Sequence, residues 1–266
     1  MTQTLVEELI SLDDDPREVP QFSARHPGLT PAAGYAAAHA VHAERVARGW
    51  QPVGRKIGFT NRTLWPRYGV FEPMWGTVYD RTLIVAQDGR ATVPLAGLVN
   101  PRIEPEICFG LNSPPPRTRD AEAILACIDW IAHSVEIVQC HHAGWKVAIA
   151  DCTADNGLHG RLVLGTPLPV DDIAGLAAML PRVEVTLLHG GSPKDKGVGA
   201  NVLDSPLAAM AFLIEVLASQ PASPPLRAGE IVSTGTLTDA HPVKPGETWS
   251  TTFSGIALQG LTVDFA

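Results

Sequence analysis

From Val53 onward the chain is a series of short β-like runs bounded by glycine and proline, and this pattern constrains the fold most. Helical segments interrupt these runs only at residues 119–131 and 205–219, so the sequence lacks the regular alternation of a parallel α/β fold. The first 50 residues differ, because their apolar residues recur at helical spacing. The pattern predicts an α+β fold with a rolled or barrel-like sheet, divided into a small helical N-terminal cap, residues 1–75, and a β-rich domain, residues 76–266.

Composition narrows the class of protein. Hydrophobic residues make up 45% of the chain and charged residues 18%, as in ordinary globular proteins. The formal net charge of −8 argues against a nucleic-acid partner, since phosphate backbones are normally bound by a basic surface. The N-terminus lacks the pattern of a secretory signal, and no stretch approaches the roughly 18 apolar residues of a membrane span. We therefore expect a cytoplasmic protein that has no membrane partner, with its four cysteines as free thiols.

Two acidic residues share one β-like run, RIEPEICF at residues 102–109. Alternate side chains of a strand lie on one face, so Glu104 and Glu106 point the same way. Neighbouring carboxylates repel each other unless a cation neutralises them, and hard divalent ions prefer such oxygen ligands. Pro105 lacks an amide proton, which favours an edge strand or a bulge beside a site. Glu136, alone in another apolar run, supplies a third acid and completes a predicted metal-binding trio.

The pattern of acids leaves a second interpretation open. In that interpretation Glu104 and Glu106 lie on a solvated edge face, and Glu136 pairs with an arginine. Surface acids are common in globular proteins, so the carboxylates alone do not decide between the two. The order of motifs along the whole chain favours the metal site.

That order resembles the fumarylacetoacetate hydrolase superfamily, and within it the 2-keto-4-pentenoate hydratases and 4-oxalocrotonate decarboxylases. The resemblance extends from about residue 30 to the C-terminal region. It implies the β-roll fold of that family, a Mg²⁺ or Mn²⁺ cofactor, a small 2-oxo acid as substrate, and assembly into homo-oligomers. The matching motifs are GRKIGFT (54–60), GTVYD (76–80), IEPEI (103–107), VEIV (135–138), ADN (154–156), RLVLG (161–165), GVGANVLDSP (197–206), VSTGT (232–236) and PGE (245–247).

The resemblance also implies roles for individual residues. Three carboxylates would ligate the metal: Glu104, Glu106 and Glu136. A second group would act on the substrate: Lys56 matches the active-site lysine of the KIG motif, Asp80 matches an acid near it, and Thr60, Thr234 and Gly235 match substrate-binding positions. We expect Lys56 to donate and accept protons, because a nearby metal ion would lower its pKa.

His159 departs from the family pattern, which usually has small serine-type residues shortly after the ADN motif. It lies between Gly157 and Gly160, so a mobile loop is one interpretation. In that case the imidazole is an acid or base that reaches the far end of the substrate. The alternative is an ordinary loop histidine without a catalytic role.

The expected reaction is metal-dependent hydration of a 2-hydroxy-2,4-dienoate to a 4-hydroxy-2-oxo acid, as part of aromatic-compound catabolism. A 4-oxalocrotonate-type decarboxylase is one alternative, and it would need a further cation, such as Arg55, Arg62 or Arg67, for the second carboxylate. An acylpyruvate-type C–C hydrolase is another, and it would need His159 or another histidine as base. A non-catalytic, metal-binding partner subunit of a pathway enzyme is the third. One metal site serves all these reactions, so the fold does not select among them.

Overall fold

The computed structural model describes residues 2–266, which contain eight α-helices and fourteen β-strands. The helices are α1 (Thr2–Asp14), α2 (Phe22–Arg25), α3 (Pro31–Ala47), α4 (Trp65–Tyr68), α5 (Ala121–Leu125), α6 (Ile149–Ala154), α7 (Leu176–Met179) and α8 (Pro206–Ser219). The strands are β1 (Pro52–Gly58), β2 (Met74–Tyr79), β3 (Leu83–Val85), β4 (Arg90–Val93), β5 (Arg102–Leu111), β6 (Ile128–Val138), β7 (His159–Leu164), β8 (Leu168–Pro169), β9 (Glu184–His189), β10 (Ser192–Val198), β11 (Ile231–Thr236), β12 (His241–Pro242), β13 (Thr248–Ser254) and β14 (Thr262–Phe265).

Nine strands form a large mixed sheet in the order β2-β1-β11-β5-β6-β7-β3, with β12 paired to β5 and β8 paired to β6. Strand β1 runs parallel to β11, whereas β11, β5 and β6 are mutually antiparallel neighbours. Strands β5 and β6 are therefore interior strands, and their long pairing is the centre of the molecule. The predicted α+β fold with a mixed, rolled sheet is confirmed.

A second sheet of five strands, in the order β10-β9-β13-β14-β4, packs against one face of the large sheet. Ile103 of β5 and Val135 and Ile137 of β6 contribute to this buried core, together with Trp249 and Val263 of the second sheet. Because strand side chains alternate, residues between these positions point to the opposite face of the large sheet. The acids at 104 and 136 are such residues, so the core places both on the face away from the second sheet.

The N-terminal helices α1 and α3 pack against each other, and α3 also packs on α6. Thr30 caps α3 by accepting a hydrogen bond from the Ala33 amide, and Pro31 occupies the first turn. The boundary predicted at residue 75 is wrong for residues 52–75, because β1 pairs with β11 and β2 pairs with β1 inside the large sheet. The helical segment ends at Ala47.

The helix predicted for residues 119–131 is also wrong beyond its first half. Only Ala121–Leu125 is helical, and β6 begins at Ile128. Ile124, Ile128 and Ile131 have helical spacing, but residues 128–138 pair with β5 along its length, and this tertiary pairing overrides the local pattern.

All four cysteines are free thiols, as predicted. Among the described residues, no helix has both the length and the apolar character needed to cross a membrane.

Candidate metal centre and active site

Glu104 of β5 and Glu136 of β6 are directly opposite each other in the antiparallel ladder, and Glu106 is two residues further along the same face. One carboxylate oxygen from each of the three lies within 4.8 Å of the others. Like charges opposite each other destabilise a sheet unless they are compensated. The structure thus brings the three predicted acids together, and their role as metal ligands stays a prediction.

A bulge in β11 positions Glu106. The register between β11 and β5 shifts between Ser233 and Thr236, next to Pro105. Of the two structures predicted from Pro105, the bulge is therefore correct. The edge strand is wrong, because β5 lies between β11 and β6. The Gly235 amide donates to Glu106 Oε2 at 3.0 Å, and the Ser233 hydroxyl donates to the same oxygen at 2.5 Å. Two hydrogen bonds to one oxygen fix the orientation of the Glu106 carboxyl group. Ser233 was missed by the sequence analysis, although it lies within the VSTGT motif.

Gly235 has a φ of +101°, and a Cβ atom at this position would lie 1.8 Å from Thr60 Oγ1. Thr60 donates its hydroxyl to the Thr234 carbonyl at 3.0 Å, and Thr234 donates to the Ile107 carbonyl at 2.9 Å. Both threonines are buried and their hydroxyls bind backbone, so these contacts shape the bulge. Their predicted contact with substrate stays a prediction. Thr236, which the sequence analysis did not single out, lines the cavity instead.

Lys56 reaches the carboxylate cluster from β1. Its Nζ lies 3.1 Å from Glu136 Oε2 and donates to the Gly157 carbonyl at 2.9 Å, and its side chain is fully buried. Burial by itself would lower the pKa of Lys56, but the three carboxylates raise it more, so its pKa lies above the ordinary value. The sequence predicted a lowered pKa for Lys56. A bound cation would be needed to lower it, because the carboxylates alone raise it.

The three carboxylates differ in their protonation. Burial, and then the charge of Glu136, raise the pKa of Glu104 to about 8. The same two causes hold the pKa of Glu106 well above its usual range. Burial also acts to raise the pKa of Glu136, but the ammonium of Lys56 and the hydrogen bond from His159 outweigh it and lower that pKa. Two of the three acids thus need an additional cation to be ionised near neutral pH.

The residues fit a divalent cation. Glu106 Oε1 is buried and has no hydrogen-bond partner among the described residues. A buried, unpaired carboxylate oxygen is costly unless a ligand binds it. Three carboxylates that leave coordination positions free are typical of Mg²⁺ and Mn²⁺ sites.

His159 does not lie in a mobile loop. It begins β7 and is buried, with Nδ1 2.8 Å from Glu136 Oε1 and Nε2 2.8 Å from the Thr82 hydroxyl. Burial lowers the pKa of His159 more than the contact with Glu136 raises it, which favours the neutral imidazole. Both ring nitrogens are occupied, and His159 positions Glu136 rather than reaching the far end of a substrate.

Asp80 is not brought to the site. It is exposed at the end of β2, and its Oδ1 accepts from the Gln51 and Arg81 amides, each at 2.9 Å. It does not line the cavity beside the carboxylates. The carboxylate instead caps a turn, which is a common use of aspartate.

A cavity with an empty volume of about 460 Å³, part of it continuous with solvent, opens beside the cluster. Its charged lining residues are Lys56 and Glu104. Most of the remaining wall is apolar or aromatic, with polar groups at Asn61 and Thr236. The apolar and aromatic lining residues are Phe59, Leu64, Tyr68, Met74, Val138, Trp145, Leu158 and Ala240. One end can thus bind charged groups, and the other suits a hydrocarbon chain.

The three arginines considered for a second substrate carboxylate are all paired with acids. Each has its own partner: Arg55 with Glu230 at 3.3 Å, Arg62 with Asp204 at 3.0 Å, and Arg67 with Asp239. None of them lines the cavity.

Arg102, which the sequence analysis did not single out, has no acidic partner among the described residues. It precedes Glu104 by two positions on β5, donates to the Tyr68 hydroxyl at 2.5 Å, and lies 4.3 Å from the ring centre of Trp145. Both aromatic residues line the cavity. A sequence signal was available, since the alternation of β5 places Arg102 on the same face as the two acids.

The chain is similar to known proteins in both sequence and fold. Residues 72–263 match the family model described as "Fumarylacetoacetate (FAA) hydrolase C-terminal". The chain is 33% identical over 218 residues to a 2-keto-4-pentenoate hydratase of Paraburkholderia xenovorans, a match that covers 80% of this chain and 76% of the relative. It is 28% identical over 254 residues to a 4-oxalocrotonate decarboxylase of Pseudomonas sp. strain CF600, covering 95% and 92%. The solved 4-oxalocrotonate decarboxylase from Pseudomonas putida G7, complexed with magnesium and adipate, superposes with a TM-score of 0.89 at 25% identity, covering 100% of this chain and 97% of that one.

Proposed function

The chain belongs to the fumarylacetoacetate hydrolase family, and on that basis we propose that it is a cytoplasmic hydratase dependent on Mg²⁺ or Mn²⁺. It adds water to a 2-hydroxy-2,4-dienoate of the 2-keto-4-pentenoate type and forms a 4-hydroxy-2-oxo acid. The observation that carries the proposal is the cluster of three carboxylates and Lys56 at one end of an otherwise apolar cavity. Homo-oligomeric assembly and a place in aromatic-compound catabolism are part of the same proposal.

Glu104, Glu106 and Glu136 would hold the cation, which when bound supplies Lewis acidity at the oxygen atoms of a 2-oxo acid. The bulge of β11 orients Glu106, and His159 orients Glu136. The apolar wall binds the hydrocarbon part of the substrate and restricts access of bulk water.

Lys56 is the proposed group that transfers a proton to and from the substrate. Its ammonium is positioned by the Gly157 carbonyl and Glu136, and it is one of the two charged residues in the cavity wall. When a cation neutralises the carboxylates, the groups that raise the pKa of Lys56 lose their effect, whereas burial still lowers it. Lys56 then has a pKa closer to neutrality, which suits proton transfer to and from substrate carbon.

Decarboxylation of an oxalocrotonate-type diacid is the second candidate. Arg102 favours it, because this guanidinium contacts two cavity residues and lacks an acidic partner among the described residues. Hydrolysis of a C–C bond has less support, because no histidine lines the described cavity and both nitrogens of His159 are bound.

The test follows the ultraviolet absorbance of 2-hydroxypenta-2,4-dienoate with chelator-treated protein, with and without added Mg²⁺ or Mn²⁺. We expect metal-dependent turnover to a 4-hydroxy-2-oxo acid, loss of turnover in Glu106→Gln, and normal turnover in Glu72→Gln, an exposed control. Carbon dioxide release from 4-oxalocrotonate, without turnover of the dienoate, would replace hydration with decarboxylation. Metal binding without turnover of either compound would favour a non-catalytic partner subunit.

A further inference from the structure

A second polar cavity lies on the opposite side of His159 from the carboxylate cluster. Its empty volume is about 780 Å³, part of it continuous with solvent, and it shares no lining residue with the cavity that contains Lys56. His159 and Thr82, which are hydrogen-bonded to each other, form part of its wall. Among its other lining residues are three arginines: Arg45, Arg81 and Arg161.

Only one of these arginines is neutralised. Arg45 makes a two-contact ion pair with Asp13, at 2.6 and 2.9 Å, and Asp13 is the only acid in the described wall. Arg81 and Arg161 form no ion pair with any described residue. The neighbouring Asp80 uses Oδ1 for backbone amides, including that of Arg81. The wall therefore carries two uncompensated positive charges.

Arg161 is half-buried on β7, and the only hydrogen bond of its side chain in the described structure goes from Nη1 to the Gly160 carbonyl at 2.9 Å. Burial lowers the pKa of Arg161, and no acid of the described part of the chain offsets this effect. The guanidinium nevertheless stays charged near neutral pH. Half-buried charges without a partner are costly, so this group favours an anionic ligand.

The other donors of the wall are also held in place. Arg81 is exposed at the rim of the wall, and its guanidinium lies 5.5 Å from the ring centre of Trp50 and donates to the Arg48 carbonyl at 3.3 Å. Gln139 accepts from the Val99 amide through Oε1 at 3.2 Å, which leaves its amide NH₂ group as a donor. Stacking and hydrogen bonding restrict these side chains before a ligand binds.

We propose that this second cavity binds a small dianionic oxyanion between Arg81 and Arg161. Two guanidinium groups balance two negative charges, and their planar donors suit paired oxygen atoms. Inorganic phosphate and a small dicarboxylate share this chemistry. The site is separate from the metal centre, so the proposal does not depend on the proposed hydratase activity.

The experiment titrates the full-length, metal-stripped protein with inorganic phosphate and, separately, with succinate, in a chloride buffer by calorimetry. We expect saturable binding of at least one of the two anions at one site per chain. Arg81→Gln and Arg161→Gln should each weaken it by about tenfold or more, as for the loss of a charge-assisted contact. Arg119→Gln removes the same charge from an exposed position outside this cavity and should leave binding unchanged.

Arg161→Lys keeps the charge and removes the planar donor pair, so it should bind with intermediate affinity and serves as the second variant if Arg161→Gln fails to fold. Tighter binding of phosphate identifies a tetrahedral anion as the ligand, whereas tighter binding of succinate identifies a dicarboxylate. The proposal is overturned if neither anion binds the wild-type protein. Equal affinity in the wild type, Arg81→Gln and a folded Arg161 variant also overturns it.

Discussion

Glu104 and Glu136 lie directly opposite each other across β5 and β6, yet their pKa values are shifted in opposite directions. Both are affected by burial, which favours the protonated acid. Glu136 differs because Lys56 and His159 contact its carboxylate, one at each oxygen. In the absence of a cation, the negative charge of the pair therefore resides on Glu136.

Because only Glu136 contacts Lys56 and His159, replacing Glu136 and replacing Glu104 should have unequal effects on the stability of the protein. Glu136→Gln leaves the buried Lys56 ammonium without its ion-pair partner, so we expect a loss of about 3–5 kcal/mol in the free energy of unfolding. Glu104→Gln should cost less than about 1 kcal/mol, because Glu104 makes no ion pair with any described residue. Urea denaturation of the metal-free proteins measures both, and equal losses would contradict the contact pattern.

Lys56→Met tests the lysine as the proton-transfer group. We expect kcat to fall by about 10²–10⁴-fold, the usual contribution of general acid–base catalysis. Mn²⁺ binding, measured by calorimetry, should persist because the three carboxylates remain. A variant that binds Mn²⁺ and keeps wild-type kcat would exclude this role for Lys56.

Gly235→Ala tests the bulge that orients Glu106. The new Cβ would meet Thr60 Oγ1 at 1.8 Å and force an alanine to a φ of +101°. We expect a loss of at least about 2 kcal/mol in the free energy of unfolding, with weaker metal binding. Gly229→Ala is the matched control, since its φ is +83° but its Cβ would meet no atom within 4 Å. Thr60→Ala combined with Gly235→Ala should recover part of the loss, and similar losses in the two glycine variants would mean that the contact with Thr60 is unimportant.

A buried pair outside the metal centre predicts a pH dependence of stability. His141 Nδ1 lies 2.7 Å from Asp155 Oδ2. Burial lowers the pKa of His141, but Asp155 raises it more, to above the ordinary value. Burial raises the pKa of Asp155, but His141 lowers it more, to below the ordinary value.

The stabilisation from His141 is complete below about pH 6.5, its unfolded pKa, and is lost as the pH rises through its higher folded pKa. The contribution from Asp155 is present above about pH 3.9 and is lost as the pH falls through its lower folded pKa. The difference in unfolding free energy between wild type and His141→Asn should therefore be largest between these values and shrink above pH 6.5. Thermal melts across this range measure it, with His26→Asn as a control. A difference that grows with pH would have the wrong sign.

Arg102 distinguishes a monoacid from a diacid substrate. Arg102→Gln should change kcat/KM for 2-hydroxypenta-2,4-dienoate by less than about twofold, because this compound has no second carboxylate. For any diacid that the protein turns over, kcat/KM should fall by about tenfold or more. Arg62→Gln, which alters an exposed ion pair, is the control. A large loss with the monoacid would mean that Arg102 acts on the carboxylate cluster itself.

Much of the fold could be predicted from the sequence, because the spacing of apolar residues and the positions of glycine and proline are local features of helices and strands. Helical spacing in the first 50 residues predicted α1 and α3, the segment predicted at 205–219 is α8, and the run of residues 102–109 lies within β5. The start of β6 was missed, since Ile124, Ile128 and Ile131 have helical spacing and only their pairing partners make the later residues a strand. Strand β2 was missed as well, because its residues pair with β1 across a connection of fifteen residues, 59–73.

For the site, the sequence alone determined which acids share a face, because side-chain alternation along a strand is a local property. It therefore grouped Glu104 with Glu106. Glu136 was added as an isolated acid in another apolar run, and Lys56 was added by the order of motifs. Tertiary structure decided everything that depends on contacts between distant segments. It buried His159 between Glu136 and Thr82, placed Asp80 at an exposed turn, and left Arg102 beside the cavity without an acidic partner among residues 2–266. The physical reason is that the contact partners, burial and protonation of a side chain depend on packing between strands that are far apart in the chain. A local sequence pattern does not contain this information.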